Sequence, residues 1–283
     1  FDGHLLRLAQ DRGAYLIDQR VDSIEWVDEH PHVTTRKGVT RAYDLVVGAT
    51  GINSNAAKLY DGLGIGYQRP PSTKTYICEI PLGAATVEAC LGNSMHVFLE
   101  NIPRLEFAAL IPKGDYITVC LLGEQIDKPL IESFLHSTSV RSCLPPDWEL
   151  PETRCHCSPA ISVGPAIQAF HDRLVLIGDC GATRLYKDGI GSAYRTAKAA
   201  ASTAVFHGIA STDFASHYEP VLDAIEADNR LGRWVFAATT ILQKVEIGRR
   251  AALRRVASEA LDTTSPGTMS TIMWDTFTGS APY

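Results

Sequence analysis

The sequence predicts an α/β chain, α+β overall, and three observations carry that expectation. The apolar runs Tyr43–Gly51 and Arg173–Asp179 both stop abruptly in small residues, as buried strands do. After the second run, Gly189-Ile190-Gly191 opens a long Ala-rich stretch with helical composition. Between the two runs, residues 65–160 hold β-branched and aromatic segments of the kind that form an antiparallel sheet.

The elements follow in order. Phe1, Leu5, Leu8 and Ala9 share one helical face, and Gly13 supplies a left-handed stop. Short extended segments are expected at Ala14–Asp18, Val21–Val27 and His32–Arg36, with turns at Asp28-Glu29 and Lys37-Gly38. Four β-rich segments come next, at 75–82, 94–100, 105–112 and 115–123. Pro112-Lys113-Gly114-Asp115 joins the last two as a hairpin, with Gly where positive φ is easiest. Asp127 is placed to cap a helix whose first turn tolerates Pro129, since no N–H is needed there. Beyond Gly208, Ser211 or Thr212 caps a helix that Pro220 bends or splits, and Trp234–Leu242 has the breadth of a buried face. Lys244, Arg249, Arg250, Arg254 and Arg255 among Ile247, Ala251, Leu253 and Val256 read as a basic amphipathic helix. Such a helix serves either as a solvated cap or as a peripheral membrane contact through 244–256.

Composition excludes several classes. The 283 residues are 45% hydrophobic and carry 26 basic against 32 acidic side chains, so the chain has enough apolar content for a core. A net charge of −6 without a Lys/Arg-rich arm leaves no electrostatic footprint for nucleic acid. The seven cysteines lack paired spacing, which points to reduced thiols and a cytoplasmic setting, on the membrane's cytoplasmic face if the basic helix binds there. Cys155-His156-Cys157 has no second Cys/His pair to complete a zinc site, so these are expected to be strand residues and no metal is assigned. The histidines have no nucleophile elbow near them, and hydrolase chemistry has no support.

The most informative stretch is strand, loop and helix start between Asp172 and Gly191. Amides in a first helical turn have no intrahelical acceptor, and the dipole adds partial positive charge, so an electron-rich ligand edge is favoured there. Asp179, just beyond the strand, can accept from sugar-like hydroxyls. Lys187 reads either as a group close to a ligand or as a solvated side chain beside a capping Asp188. Arg184 can pair with a substrate anion, and Tyr186, Tyr194, Phe107 and Trp148 either line a pocket or belong to the core.

These residues carry a family resemblance. Leu45–Ser54, with Val47-Gly48-Ala49-Thr50-Gly51 at its centre, resembles the second dinucleotide-contact motif of FAD-dependent oxidoreductases of the geranylgeranyl reductase and aromatic hydroxylase superfamily. Leu176-Ile177-Gly178-Asp179 with Asp188-Gly189-Ile190-Gly191 resembles the Gly-Asp motif and flavin-facing helix start. Phe107–Asp115 is similar to the hairpin of the reductase branch, which often has Trp where Ala109 stands. The resemblance implies a partial FAD/NAD(P)-binding Rossmann-like fold with an inserted antiparallel substrate domain and C-terminal helices. Residues 1–64 and 161–208 would form the FAD part, 65–160 the substrate part and 209–283 a helical cap. It also implies FAD held by Thr50, Gly51, Gly178, Asp179, Asp188 and the backbone of Gly189, Ile190 and Gly191, with Lys187 as the catalytic candidate and NAD(P)H as a possible reductant.

Thr50-Gly51 departs from the Asp-Gly of many hydroxylases, which favours a reductase or dehydrogenase. The family's Gly-x-Gly-x-x-Gly turn and acidic ribose ligand are not found, and Gly62-Leu63-Gly64-Ile65-Gly66 follows no strand. The chain is therefore expected to be a fragment of a flavoenzyme acting on a hydrophobic, isoprenoid or lipid-like substrate. Two alternatives stay open: a flavin-dependent monooxygenase or halogenase, and a non-catalytic binding or membrane-associated module.

Overall fold

The computed structural model describes residues 1–149, 155–261, 267–278 and 281–283. Helix α1 (Asp2–Asp11) buries none of its side chains and ends before Gly13, whose φ of +96° provides the expected stop. The extended segment expected at 14–18 is no strand: Tyr15 and Leu16 are exposed, and no neighbouring ladder takes up their backbone groups. Strands β1 (Val21–Val27), β2 (His30–Thr35) and β3 (Thr40–Ala42) form an antiparallel sheet. Asp28 and Glu29 both take positive φ in the first turn, the conformation that matches a hairpin's twist.

The run around Val46 contributes only β4 (Val46–Gly48), pressed against Tyr60 of the short helix α2 (Lys58–Asp61). A Cβ on Gly48 would lie 2.4 Å from the Leu176 side chain and 2.5 Å from the Tyr60 hydroxyl, so only glycine fits there. Beyond it lie β5 (Ser72–Pro81), α3 (Ala84–Leu91), β6 (His96–Val97), β7 (Leu105–Lys113), β8 (Tyr116–Gly123), α4 (Lys128–Leu135), α5 (Thr138–Arg141), β9 (Cys155–Cys157) and β10 (Ala160–Ser162). Six of these form one antiparallel sheet in the order β10-β5-β8-β7-β6, with β9 also pairing β5. Of the segment at 94–100 only two residues join the sheet. Gly114 turns the β7–β8 hairpin at φ +71°, and the Asp127 carboxylate accepts from the Leu130 amide at 3.1 Å to cap α4. Helices α3, α4 and α5 close one sheet face, where Ile80, Leu110, Ile117 and Val119 of the sheet and Phe134 of α4 are all fully buried.

The second core surrounds β11 (Phe170–His171) and β12 (Leu174–Leu176), whose three residues are entirely buried. β12 pairs antiparallel with β11 and parallel with β4. Helix α6 (Gly189–Phe206) follows, then α7 (Ser211–His217) and α8 (Glu219–Lys244), separated at Tyr218 with Pro220 in the first turn of α8, as expected. The cap of α7 differs from expectation: the Asp213 carboxylate reaches back to the Ala210 amide at 3.0 Å. Within 234–242 only Phe236 is buried, whereas Trp234 and Ile241 face outward.

Helix α9 (Glu246–Leu261) forms where the basic segment was read, but not as an amphipathic helix. About two turns separate Arg249 from Val256 and Ile247 from Arg254, so charged and apolar side chains share the same faces. Helix α10 (Thr268–Phe277) is held by α9: Glu259 accepts from the Met269 amide at 3.1 Å and the Ser270 amide at 2.9 Å. No helix among the described residues is long and apolar enough to cross a membrane.

Candidate functional site

Parallel pairing brings the ends of β4 and β12 side by side, and the start of α6 faces them across a cleft of about 420 Å³. Ligands of open α/β sheets lie at such strand ends. Gly51, Gly178, Asp179, Gly189 and Ile190 line it, with Ala49, Ile177 and Ala193 as apolar walls. The Gly178 amide donates to Thr196 Oγ1 at 2.9 Å, which fixes the turn after β12 against α6. Burial pushes the Asp179 carboxyl upward, and a hydrogen bond with Thr183 partly offsets that.

Asp188 caps α6 from a left-handed backbone, φ +53°, by accepting from the Gly191 amide at 3.1 Å. Burial raises the Asp188 carboxyl, but the hydrogen bond and charge of Arg195, joined by Arg184, hold it below the ordinary value. Gly191 therefore departs from its expected part: its amide already serves a carboxylate of the chain, and neither it nor Asp188 lines the cleft. Gly189 and Ile190 do line the cleft, and their amides, in the first turn of α6, have no intrahelical acceptor. Thr50 also turns away, toward Tyr60 and Cys180, and leaves Gly51 at the cleft.

Lys187 lies elsewhere. Its Nζ donates to the Asp275 carbonyl at 2.6 Å and the Ala281 carbonyl at 3.0 Å, and sits 3.7 Å over the Tyr283 ring. Burial, then the charge of Arg184, lowers its pKa to about 8. Arg184 is buried too, donating to Asp228 at 2.9 Å and to the Ala281 carbonyl at 2.5 Å. Residues 281–283 thus clasp the loop that leads into α6, and the Tyr283 hydroxyl donates to the Leu185 carbonyl.

A second, apolar cavity of about 230 Å³ lies between the antiparallel sheet and helices α8 and α10. Its floor is Ile77, Phe107, Ile111, Cys120 and Leu122, and Phe236, Phe277 and Tyr186 close it. Tyr186 has φ +59°, a strained conformation for a bulky residue, and its ring packs edge-on to Phe236 at 4.8 Å. Its hydroxyl donates to Glu106 Oε2 at 2.7 Å. Glu106 sits at a bulge in β7, where Leu105 pairs with Gly123 and Phe107 with the adjacent Leu122, so its side chain leaves the normal alternation. The buried Gln243 amide donates to the Glu106 carbonyl at 3.3 Å. Of the aromatics named from the sequence, Tyr186 and Phe107 reach this cavity. Tyr194 is exposed, and Trp148 packs on the other core beside Arg141. Glu106, Phe236, Thr276 and Phe277 were not singled out. Glu106 had a visible signal, as the one acid in an otherwise apolar strand.

No protein-family model and no curated protein matches this sequence. Solved structures do match. A geranylgeranyl bacteriochlorophyll reductase-like protein from Thermoplasma acidophilum aligns over 98% of this chain and 71% of its own, with TM-score 0.67 and 15% identity. The chain shares the Rossmann-like fold of such flavoproteins over the part it spans. A tryptophan 6-halogenase from Streptomyces toxytricini aligns over 81% of this chain and 46% of its own, at TM-score 0.60 and 14% identity. A probable FAD-dependent monooxygenase from Pseudomonas aeruginosa does so over 83% and 71%, at 0.53 and 15%. The chain spans under half the length of the halogenase and about seven-tenths of the other two.

Proposed function

We propose that the protein is, or is part of, an FAD-dependent oxidoreductase acting on a compact apolar substrate. One observation carries this reading: a single segment touches both spaces, Tyr186 closing the apolar cavity and Gly189-Ile190 lining the glycine-rich cleft three residues later. A substrate in the first is thereby set next to a cofactor in the second.

The cleft fits a flavin. A Cβ on Gly51 or Gly189 would meet nothing within 4 Å, so the missing side chains leave room for a flat ring to approach the backbone. The Gly189 and Ile190 amides match the acceptor edge of an isoalloxazine, and the Asp179 carboxylate matches a polyhydroxyl chain. Bound there, FAD supplies two-electron transfer chemistry that no side chain provides. Amides at the start of α6 favour negative charge on the ring edge facing them, which makes the ring easier to reduce. The apolar lining disfavours water, and the half-open cavity of about 230 Å³ suits an apolar ring.

The test is a titration of the purified protein with FAD, followed by flavin absorbance near about 450 nm and by the melting temperature. A saturable spectral change with a rise in melting temperature is the expected result. A protein whose spectrum and melting curve ignore FAD overturns the reading.

A further inference from the structure

We infer that the Tyr186–Glu106 pair makes the apolar cavity selective for a substrate bearing a single O–H or N–H donor on an otherwise apolar ring. The selectivity comes from where the protons point. Tyr186 gives its proton to Glu106 at 2.7 Å. Thr75 gives its own to the Pro159 carbonyl at 3.1 Å, and Thr276 to the Ile272 carbonyl at 2.7 Å. Every hydroxyl of the described lining residues is therefore committed as a donor to the protein, and what it has left to offer a ligand is a lone pair. The remaining polar group is the Cys120 thiol, which burial holds protonated with a pKa of about 11 and which donates only weakly.

Such a lining accepts from a ligand and gives almost nothing back. A phenol, an alcohol or a ring N–H finds a partner at Tyr186 Oη, whereas a ketone or ether of the same shape buries an acceptor opposite other acceptors. Leaving such a polar atom unpaired is penalised inside an apolar space. Three features show that the Tyr186 position is imposed by the fold and not incidental. The backbone is left-handed there, the carboxylate partner stands on a bulge, and the bulge's carbonyl is satisfied by the buried Gln243. The inference rests on the oxidoreductase reading only for what happens to the substrate afterwards; the donor preference is a property of the cavity alone.

The experiment compares 2-naphthol with 2-methoxynaphthalene, measured as dissociation constants by calorimetry on the full chain with and without FAD. The expected result is a preference for 2-naphthol of about fivefold to tenfold, the size of one net hydrogen bond. In Tyr186→Phe the preference falls to about one while 2-methoxynaphthalene binds as before. Glu106→Leu, which removes the acceptor and frees the tyrosine proton to turn inward, narrows the preference as well and serves as a second variant if Tyr186→Phe fails to fold. Equal binding of the two probes, no binding of either, or a preference that survives both substitutions overturns the inference. Failure of FAD to bind while the donor preference persists overturns the flavoenzyme reading and leaves this one standing.

Discussion

The Asp188 carboxylate accepts from the Gly191 amide at 3.1 Å and fills the space that a side chain at 191 would need, with Oδ1 only 2.2 Å from an ideal Cβ. Cap and glycine are therefore one device. Asp188→Ala removes the cap and one partner of the buried Arg184, and is expected to lower stability by about 2 kcal/mol in urea unfolding. Gly191→Ala is expected to destabilise the parent by displacing the carboxylate. In the Asp188→Ala background it is expected to change sign and stabilise by up to about 1 kcal/mol, as Ala does over Gly in a helix. Additive effects of the two substitutions would show that they are not coupled.

Gly189 has the opposite character, since a side chain there meets no protein atom. Gly189→Leu is expected to leave the melting temperature unchanged or raised, because Leu is the better helix former. It is also expected to weaken FAD binding by at least about tenfold, by filling the cleft with hydrocarbon and displacing the ring. Undiminished FAD affinity in this variant would place the cofactor elsewhere.

Lys187 predicts an alkaline gain in stability. Folding lowers its pKa to about 8 from the ordinary 10.5, because burial and the Arg184 charge disfavour the ammonium. Between those values the unfolded chain binds more protons than the folded one, so raising the pH favours folding. The neutral amine still donates to the Asp275 and Ala281 carbonyls. The urea midpoint is expected to rise from about pH 8 to pH 10.5 relative to that of Lys187→Met, in the window set by the two pKa values. Parallel pH profiles for the two proteins would contradict this.

At the acid end Glu259 acts with the reverse sign. The Ser270 amide, with the Met269 amide, the Ser270 hydroxyl and Arg255, holds its carboxyl down to about 2, against an ordinary 4.5. Its contribution is complete above the ordinary value and is lost as pH falls through the folded one. Helix α10, which carries Phe277 over the apolar cavity, is expected to loosen below about pH 4. Trp274 fluorescence on α10 follows that release, and Glu259→Gln is expected to show it already at neutral pH. A signal that titrates identically in both proteins would separate Glu259 from the docking of α10.

What the sequence revealed, and what it hid, divides by range. The β7–β8 hairpin, the Asp127 cap and the break at Pro220 were legible because each depends on neighbours a few residues apart. The alternation of charge around α9 was equally local and was open to a check of which residues recur about every two turns. Contacts between distant segments were not legible. Tyr186 and Glu106 stand 80 residues apart, and Lys187 and the Ala281 carbonyl 94. A lysine beside a capping aspartate looks the same in sequence whether it faces a ligand, the solvent or the chain's last residues. Only the docking of 281–283 decides it.

The stretch from Tyr186 to Ile190 lines the apolar cavity at its first residue and the cleft at its last two. Whatever influence passes along that stretch between the two spaces is mutual by thermodynamic linkage. By whatever factor an occupant of the cleft alters affinity in the apolar space, an occupant of that space must alter affinity in the cleft by the same factor.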